Sequence, residues 1–166
     1  MQFKQWLESS TRQPYVYHTT YYRNLDSISD NGLDYEENGG ANFTKPWLQT
    51  HSAQGNFFVT DTQNIKWWIH VLEYQASDKS DNIDEDGLIP FILRFRLNPK
   101  KHLSDKHQET PSDALTACKI PPMGIQVWDG IKWWPIAYWG NINPQNFLDS
   151  DNDNIFVRED YPIPKY

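Results

Sequence analysis

Hydrophobic and polar residues alternate most cleanly over Pro90–Asn98. Phe91, Leu93, Phe95 and Leu97 fall on one side and Ile92, Arg94 and Arg96 on the other, the period of two expected of a half-buried strand. A second extended stretch, Tyr15-Val16-Tyr17-His18-Thr19-Thr20, is rich in aromatic and β-branched residues. It runs straight into Tyr21–Leu33, where Leu25, Ile28 and Leu33 supply a sparse apolar face and Gly32 suits the left-handed position past a last turn. The pattern predicts a strand followed by a helix of about three turns. Asn56–Thr60 reads as another strand. Beyond it Ile65, Trp68, Ile69 and Leu72 stand at i, i+3, i+4 and i+7, with Trp67, Val71 and Tyr74 as a neighbouring stripe. That spacing predicts an amphipathic helix over Gln63–Tyr74, capped by Thr60 or Asp61.

The rest of the chain is broken into shorter pieces. Ala114–Lys119 and Ile125–Trp128 read as short strands on either side of Pro121-Pro122, since proline offers no ladder donor. Asp129-Gly130 signals a hairpin returning through Ile131–Ile136. Gln2–Ser10 is expected to form a short leading helix, with Phe3, Trp6 and Leu7 on one face. Asp34–Gln54, which holds Trp47 and His51, is expected to be a loop of the length that covers sites. Ser77–Gly87 reads as an acidic solvated loop, and Asn141–Tyr166 as a polar tail over the surface. No repeat or composition break divides the 166 residues. One α+β domain spanning 1–166 is expected, with about six strands in a twisted core and two main helices on it.

Composition narrows the function classes. Eight Trp, nine Tyr and eight Phe favour a β-rich or mixed fold filled by large side chains. A net charge of −7 gives no general attraction to nucleic acid or to anionic membranes. Cys118 is the single cysteine, so no intrachain disulfide forms, and a strand cysteine reads as inert core. No apolar run is long enough to span a bilayer, and Met1–Trp6 lacks the apolar run of a signal peptide; the expected location is cytoplasmic, with no membrane partner. Asp149, Asp151, Asp153 and Asp160 have the spacing of a calcium loop, yet Asn154 stands where such a loop carries glycine and Pro162 forbids an exit helix. No metal is expected.

Candidate chemistry centres on His18. A histidine at a strand-to-helix junction can line a cleft while its backbone stays fixed; the alternative is a histidine hydrogen-bonded in the core. Around it four motifs follow in order: Tyr17-His18-Thr19-Thr20, Asn31-Gly32-Leu33, Gly55-Asn56-Phe57-Phe58 and Ile120-Pro121-Pro122. Together, over Tyr15–Trp134, they resemble the ADP-ribosyltransferase superfamily, in particular its RNA 2′-phosphotransferase and DNA-modifying toxin branches.

The resemblance implies a split, twisted β-core holding NAD, as co-substrate, in a cleft. In that scheme His18 donates to the ribose beside nicotinamide, the Thr19 backbone binds the carboxamide, and Thr20 supports the strand end or touches the ribose. One of Phe57 and Phe58 faces the cleft, and Trp68 or its neighbour Trp67 stacks on nicotinamide. Many members place a glutamate on a late strand; here the matching stretch is Ala114–Thr116, which has none. Asp113, with Glu109 nearby, or Gln126 beyond the Pro-Pro corner is the substitute on offer. The implied activity is transfer of ADP-ribose to a macromolecular acceptor, protein or nucleic acid, as in a toxin or effector. The alternatives are an inactive relative used as a binding module, and an RNA 2′-phosphotransferase-like enzyme in which Arg94 and Arg96 grip phosphate.

Overall fold

The computed structural model describes residues 7, 13–34, 57–61, 64–79, 81–82, 87–102, 115–117 and 119–149. Within them the fold is α+β. Strand β1 is Tyr15–Tyr21, β2 is Phe57–Val59, β3 is Pro90–Arg96, β4 is Leu115–Ala117, β5 is Gln126–Trp128 and β6 is Trp133–Pro135. Helix α1 is Leu25–Asn31, α2 is Ile65–Lys79, α3 is Pro99–His102 and α4 is Pro144–Asp149, with 3-10 turns at Tyr22–Asn24 and Ile136–Asn141. An antiparallel sheet of four strands runs β1-β3-β5-β6, and a separate pair joins β2 to β4.

The alternation in Pro90–Asn98 places β3 in the middle of the large sheet, zipped to β1 from Tyr15↔Arg96 to Tyr21↔Pro90 and to β5 at Leu93↔Val127. Directly paired residues share a face, and successive residues alternate. One face therefore carries Val16, His18, Thr20, Phe91, Leu93, Phe95 and Val127. Val16, Phe91, Leu93, Phe95 and Val127 are fully buried there. Phe91 stacks on Phe147 of α4 at 4.8 Å and packs against Tyr22 at 5.6 Å. The second face carries Tyr15, Tyr17, Thr19, Tyr21, Ile92, Arg94, Arg96, Gln126 and Trp128. Helix α2 covers its Tyr21 end, where the buried Tyr21 hydroxyl donates to the Leu72 carbonyl at 2.9 Å.

Several elements differ from the sequence expectation. The first strand runs on to Tyr21, because Thr19 to Tyr21 keep pairing with β3, and the helix shrinks to Leu25–Asn31 after a 3-10 turn. Helix α2 starts at Ile65 and runs to Lys79, past Tyr74, and Asp61 is the residue at its start that bonds, accepting from the Asn64 N–H at 3.0 Å. The supposed polar tail, from the end of the 3-10 turn at Asn141, instead carries α4, whose Phe147 is buried in the main core. The two short strands flanking Pro121-Pro122 belong to different sheets, β4 to β2 and β5 to β3. The expected leading helix, apart from buried Leu7, the loop bearing Trp47 and His51, and Cys118 lie outside the described residues.

Candidate functional site

Among the described residues the two sheets meet at one rung. The Tyr17 N–H donates to the Thr60 carbonyl at 2.9 Å and the Thr60 N–H to the Tyr17 carbonyl at 2.9 Å. Beyond it β2 pairs with β4 instead of β1, so β1 and β2 part company on the side of His18 and Thr19. The β4 end of the small sheet returns to α1: Leu33 N–H donates to the Ile120 carbonyl at 2.9 Å and Ile120 N–H to the Leu33 carbonyl at 3.0 Å. Gly32 makes this close approach possible. Its backbone (φ 77°, ψ −165°) lies in a region essentially reserved for glycine, and a Cβ there would stand 2.0 Å from the Ile120 carbonyl oxygen. The four motifs thus form one continuous circuit, Tyr17 to Thr60, β2 to β4, Ile120 to Leu33.

Hydrogen-bond parity along β1 fixes what faces the gap. Pro14, Tyr22 and the even-numbered positions between them turn their polar backbone to β3 and its flanks; Pro14 O accepts from Leu97 N–H and Tyr22 N–H donates to Ile89 O. Odd-numbered positions turn outward, as Tyr17 does toward Thr60. Thr19 therefore presents its N–H and C=O on the outer edge, just where β2 has turned away. Among the described residues nothing bonds to them there. His18 is half-buried on the face over Leu93. Thr20 is buried on that same face, and its Oγ1 accepts from the Asn24 Nδ2 at 3.1 Å. At the rung itself the Thr60 hydroxyl is buried and makes no hydrogen bond.

The other expected site residues divide. Trp67 is half-buried and Trp68 is 5% exposed, the two indoles edge-on at 4.9 Å. Trp68 is thus turned inward by the amphipathic face of α2, and Trp67 keeps the more accessible ring. Phe57 and Phe58 lie on β2, their side chains outside the described residues, and Asp113 and Glu109 also lie outside them.

Gln126 requires a correction. It pairs with Arg94, which pairs with Tyr17, so it stands on the face opposite His18. Its Oε1 is engaged by the Arg94 Nε–H at 2.7 Å. Register between strands decided this, and Gln126 cannot work beside His18.

Arg94 and Arg96 share that far face. The Arg94 guanidinium lies 4.3 Å from both the Tyr15 and the Trp133 ring centroids, and Arg96 lies 4.2 Å from Tyr15. They form a cation–aromatic stack on the side of the sheet away from His18. Sequence reasoning missed two participants: Asn24, which reaches back to Thr20, and Thr60, at the junction of the sheets. A helix-start asparagine four residues beyond a strand threonine was the available signal for the first.

Among the described residues no three His, Cys, Asp or Glu side chains are grouped to hold a metal ion, and no helix is long and apolar enough to cross a membrane. No protein-family model, curated protein or solved structure matches the chain.

Proposed function

We propose that the gap between β1 and β2 is a nicotinamide site and that the protein is an NAD-binding enzyme of the ADP-ribosyltransferase type, its split β-core parting at Tyr17 and Thr60. The outward N–H and C=O of Thr19 carry this reading. One residue offering a donor and an acceptor side by side, on a strand edge that beyond Tyr17 has no partner among the described residues, complements a primary carboxamide, which presents the opposite pair. Nicotinamide brings such a group. The circuit through Thr60, β4, Ile120 and Leu33 supports the same assignment, because it joins described residues from each of the motifs on which the resemblance rests.

In this mechanism Thr19 holds the carboxamide and His18 donates to a ribose hydroxyl, fixing the sugar against the departing ring. The C–N bond between ribose C1′ and nicotinamide breaks, its electron pair neutralising the ring nitrogen. An oxocarbenium-like sugar develops and the acceptor's nucleophile bonds to C1′ while losing its proton. Trp67, the more accessible of the two indoles, takes the role of stacking on the leaving nicotinamide in this reading. The acceptor is a macromolecule, protein or nucleic acid, as for a toxin or effector. The RNA-phosphate alternative loses ground, since Arg94 and Arg96 stand on the face away from His18.

A second reading, a binding module that keeps the cleft without turnover, is favoured by β4, whose residues Leu115–Ala117 contain no carboxylate. Calorimetry with NAD, followed by incubation with labelled NAD and cell lysate, separates the two. Transfer of label or release of nicotinamide supports the enzyme, and binding without either supports the module. Absence of NAD binding rejects the nicotinamide site itself.

A further inference from the structure

Asn24 occupies the position that starts α1, where asparagine usually turns its side-chain oxygen onto the first free N–H groups of the helix. Here it makes no such bond. A 3-10 turn over Tyr22–Asn24 leads directly into α1, and the Asn24 Nδ2 instead donates back to Thr20 Oγ1 at 3.1 Å. That choice has a chemical consequence. A threonine hydroxyl has one proton and two lone pairs. With one lone pair occupied by the Asn24 amide, the Thr20 O–H proton points away from Asn24 and, with the second lone pair, is left to offer; no other hydrogen bond of the Thr20 hydroxyl is formed among the described residues. Thr20 stands on the same face as His18, two residues along β1.

We infer that Asn24 is a positioning residue for the nucleotide: by donating to Thr20 Oγ1 it turns the Thr20 hydroxyl into a fixed donor for an acceptor oxygen of the ribose–diphosphate part of NAD. The inference rests on the nicotinamide site proposed above and adds a second polar anchor beside His18. It also explains why a buried strand threonine is followed four residues later by an asparagine that does not cap its helix.

Asn24→Asp tests it, because a positioning role and a structural role predict opposite signs. Aspartate keeps the size and suits the first turn of a helix, where a carboxylate is favoured by the helix dipole. A carboxylate, however, can only accept, so it draws the Thr20 proton onto itself and removes the donor from the ligand. The expected result is a melting temperature equal to or above the parent's, with NAD affinity about tenfold weaker. Thr20→Val should weaken NAD by a similar factor, and the double variant should be no weaker than either single one, since both changes delete one donor. If turnover is measurable, KM for NAD rises more than kcat falls. Asn24→Asp that binds NAD as the parent does overturns the inference, as does a variant in which stability and affinity fall together. Failure of the parent to bind NAD rejects the nicotinamide site and this inference with it; binding by the parent with unchanged binding by Asn24→Asp rejects the inference alone.

Discussion

The two edges of β1 have opposite characters. Its inner edge is zipped to β3 along the whole strand, from Tyr15↔Arg96 to Tyr21↔Pro90, whereas among the described residues its outer edge makes one rung, at Thr60. The inner edge lies over a dry core of Phe91, Leu93, Phe95 and Val127. On the outer edge the Thr19 peptide group has no partner among the described residues. An inner ladder with no slack holds the outer positions still, so the open edge can stay open without the strand fraying. In the proposed nicotinamide site, rigidity on one side is what makes recognition on the other side specific.

Substitutions on the inner side should cost the most. Phe91 is fully buried and stacked on Phe147. Phe91→Ala is expected to lose about 3–5 kcal/mol of unfolding free energy by denaturant titration, and a loss below about 1.5 kcal/mol would mean that this face does not anchor β1. The circuit closing the outer side depends on Gly32. Gly32→Ala combines a glycine-only backbone with a methyl driven onto the Ile120 carbonyl. A loss of about 3 kcal/mol is expected, or about 6–12 °C in Tm. A variant as stable as the parent would show that the junction between α1 and Ile120 rearranges freely.

His18 sharpens the comparison, since it lies on the inner core's face but next to the outer gap. His18→Ala should weaken NAD binding at least tenfold, about 1.4 kcal/mol, with Tm changed by no more than about 2–4 °C. Calorimetry and thermal melting on the same pair of proteins decide the matter. A destabilised variant that binds NAD as tightly as the parent, at a temperature where both are folded, removes His18 from the site.

The sequence made some of this legible and hid the rest for physical reasons. The alternation over Pro90–Asn98 and the i, i+3, i+4 spacing after Ile65 identified β3 and α2, because long amphipathic elements write their burial into the pattern. Helix α4 was overlooked, since a short helix shows little periodicity. Its start was nevertheless marked: Pro144 sits at the first helical position, and Asn143 Oδ1 accepts from the Gln145 N–H at 3.1 Å. Local pattern put His18 on a strand but at its end, whereas pairing with β3 carries β1 on to Tyr21 and leaves His18 in the middle; nor could the pattern choose its face relative to Gln126. That choice depends on how β3 registers with β1 and β5, and one residue of slip inverts it. For the same reason a stripe containing both Trp67 and Trp68 could not say which indole turns inward.

The smallest expected effect lies where the inner ladder ends. Leu97 N–H donates to Pro14 O at 3.3 Å, and the next residue, Asn98, turns the chain into α3 by donating its N–H to His102 Nδ1 at 3.1 Å. Only a neutral imidazole can accept at Nδ1. Burial lowers the pKa of His102 from its ordinary value of 6.5, and the adjacent Lys101 charge lowers it further. The folded protein therefore resists taking up a proton that the unfolded chain binds near pH 6.5. The stability contributed by the neutral ring is fully present above that pH and is lost as the pH falls from 6.5 toward the lower folded-state value. Replacing the ring by His102→Gln removes this linkage while leaving every other titrating group in place. Melted at pH 7.5 and again at pH 5.5, the parent should lose more than the variant does, by on the order of 1 °C. Equal losses would mean that the Asn98 turn holds without the imidazole, so that the end of the inner edge is secured by the β1–β3 ladder alone.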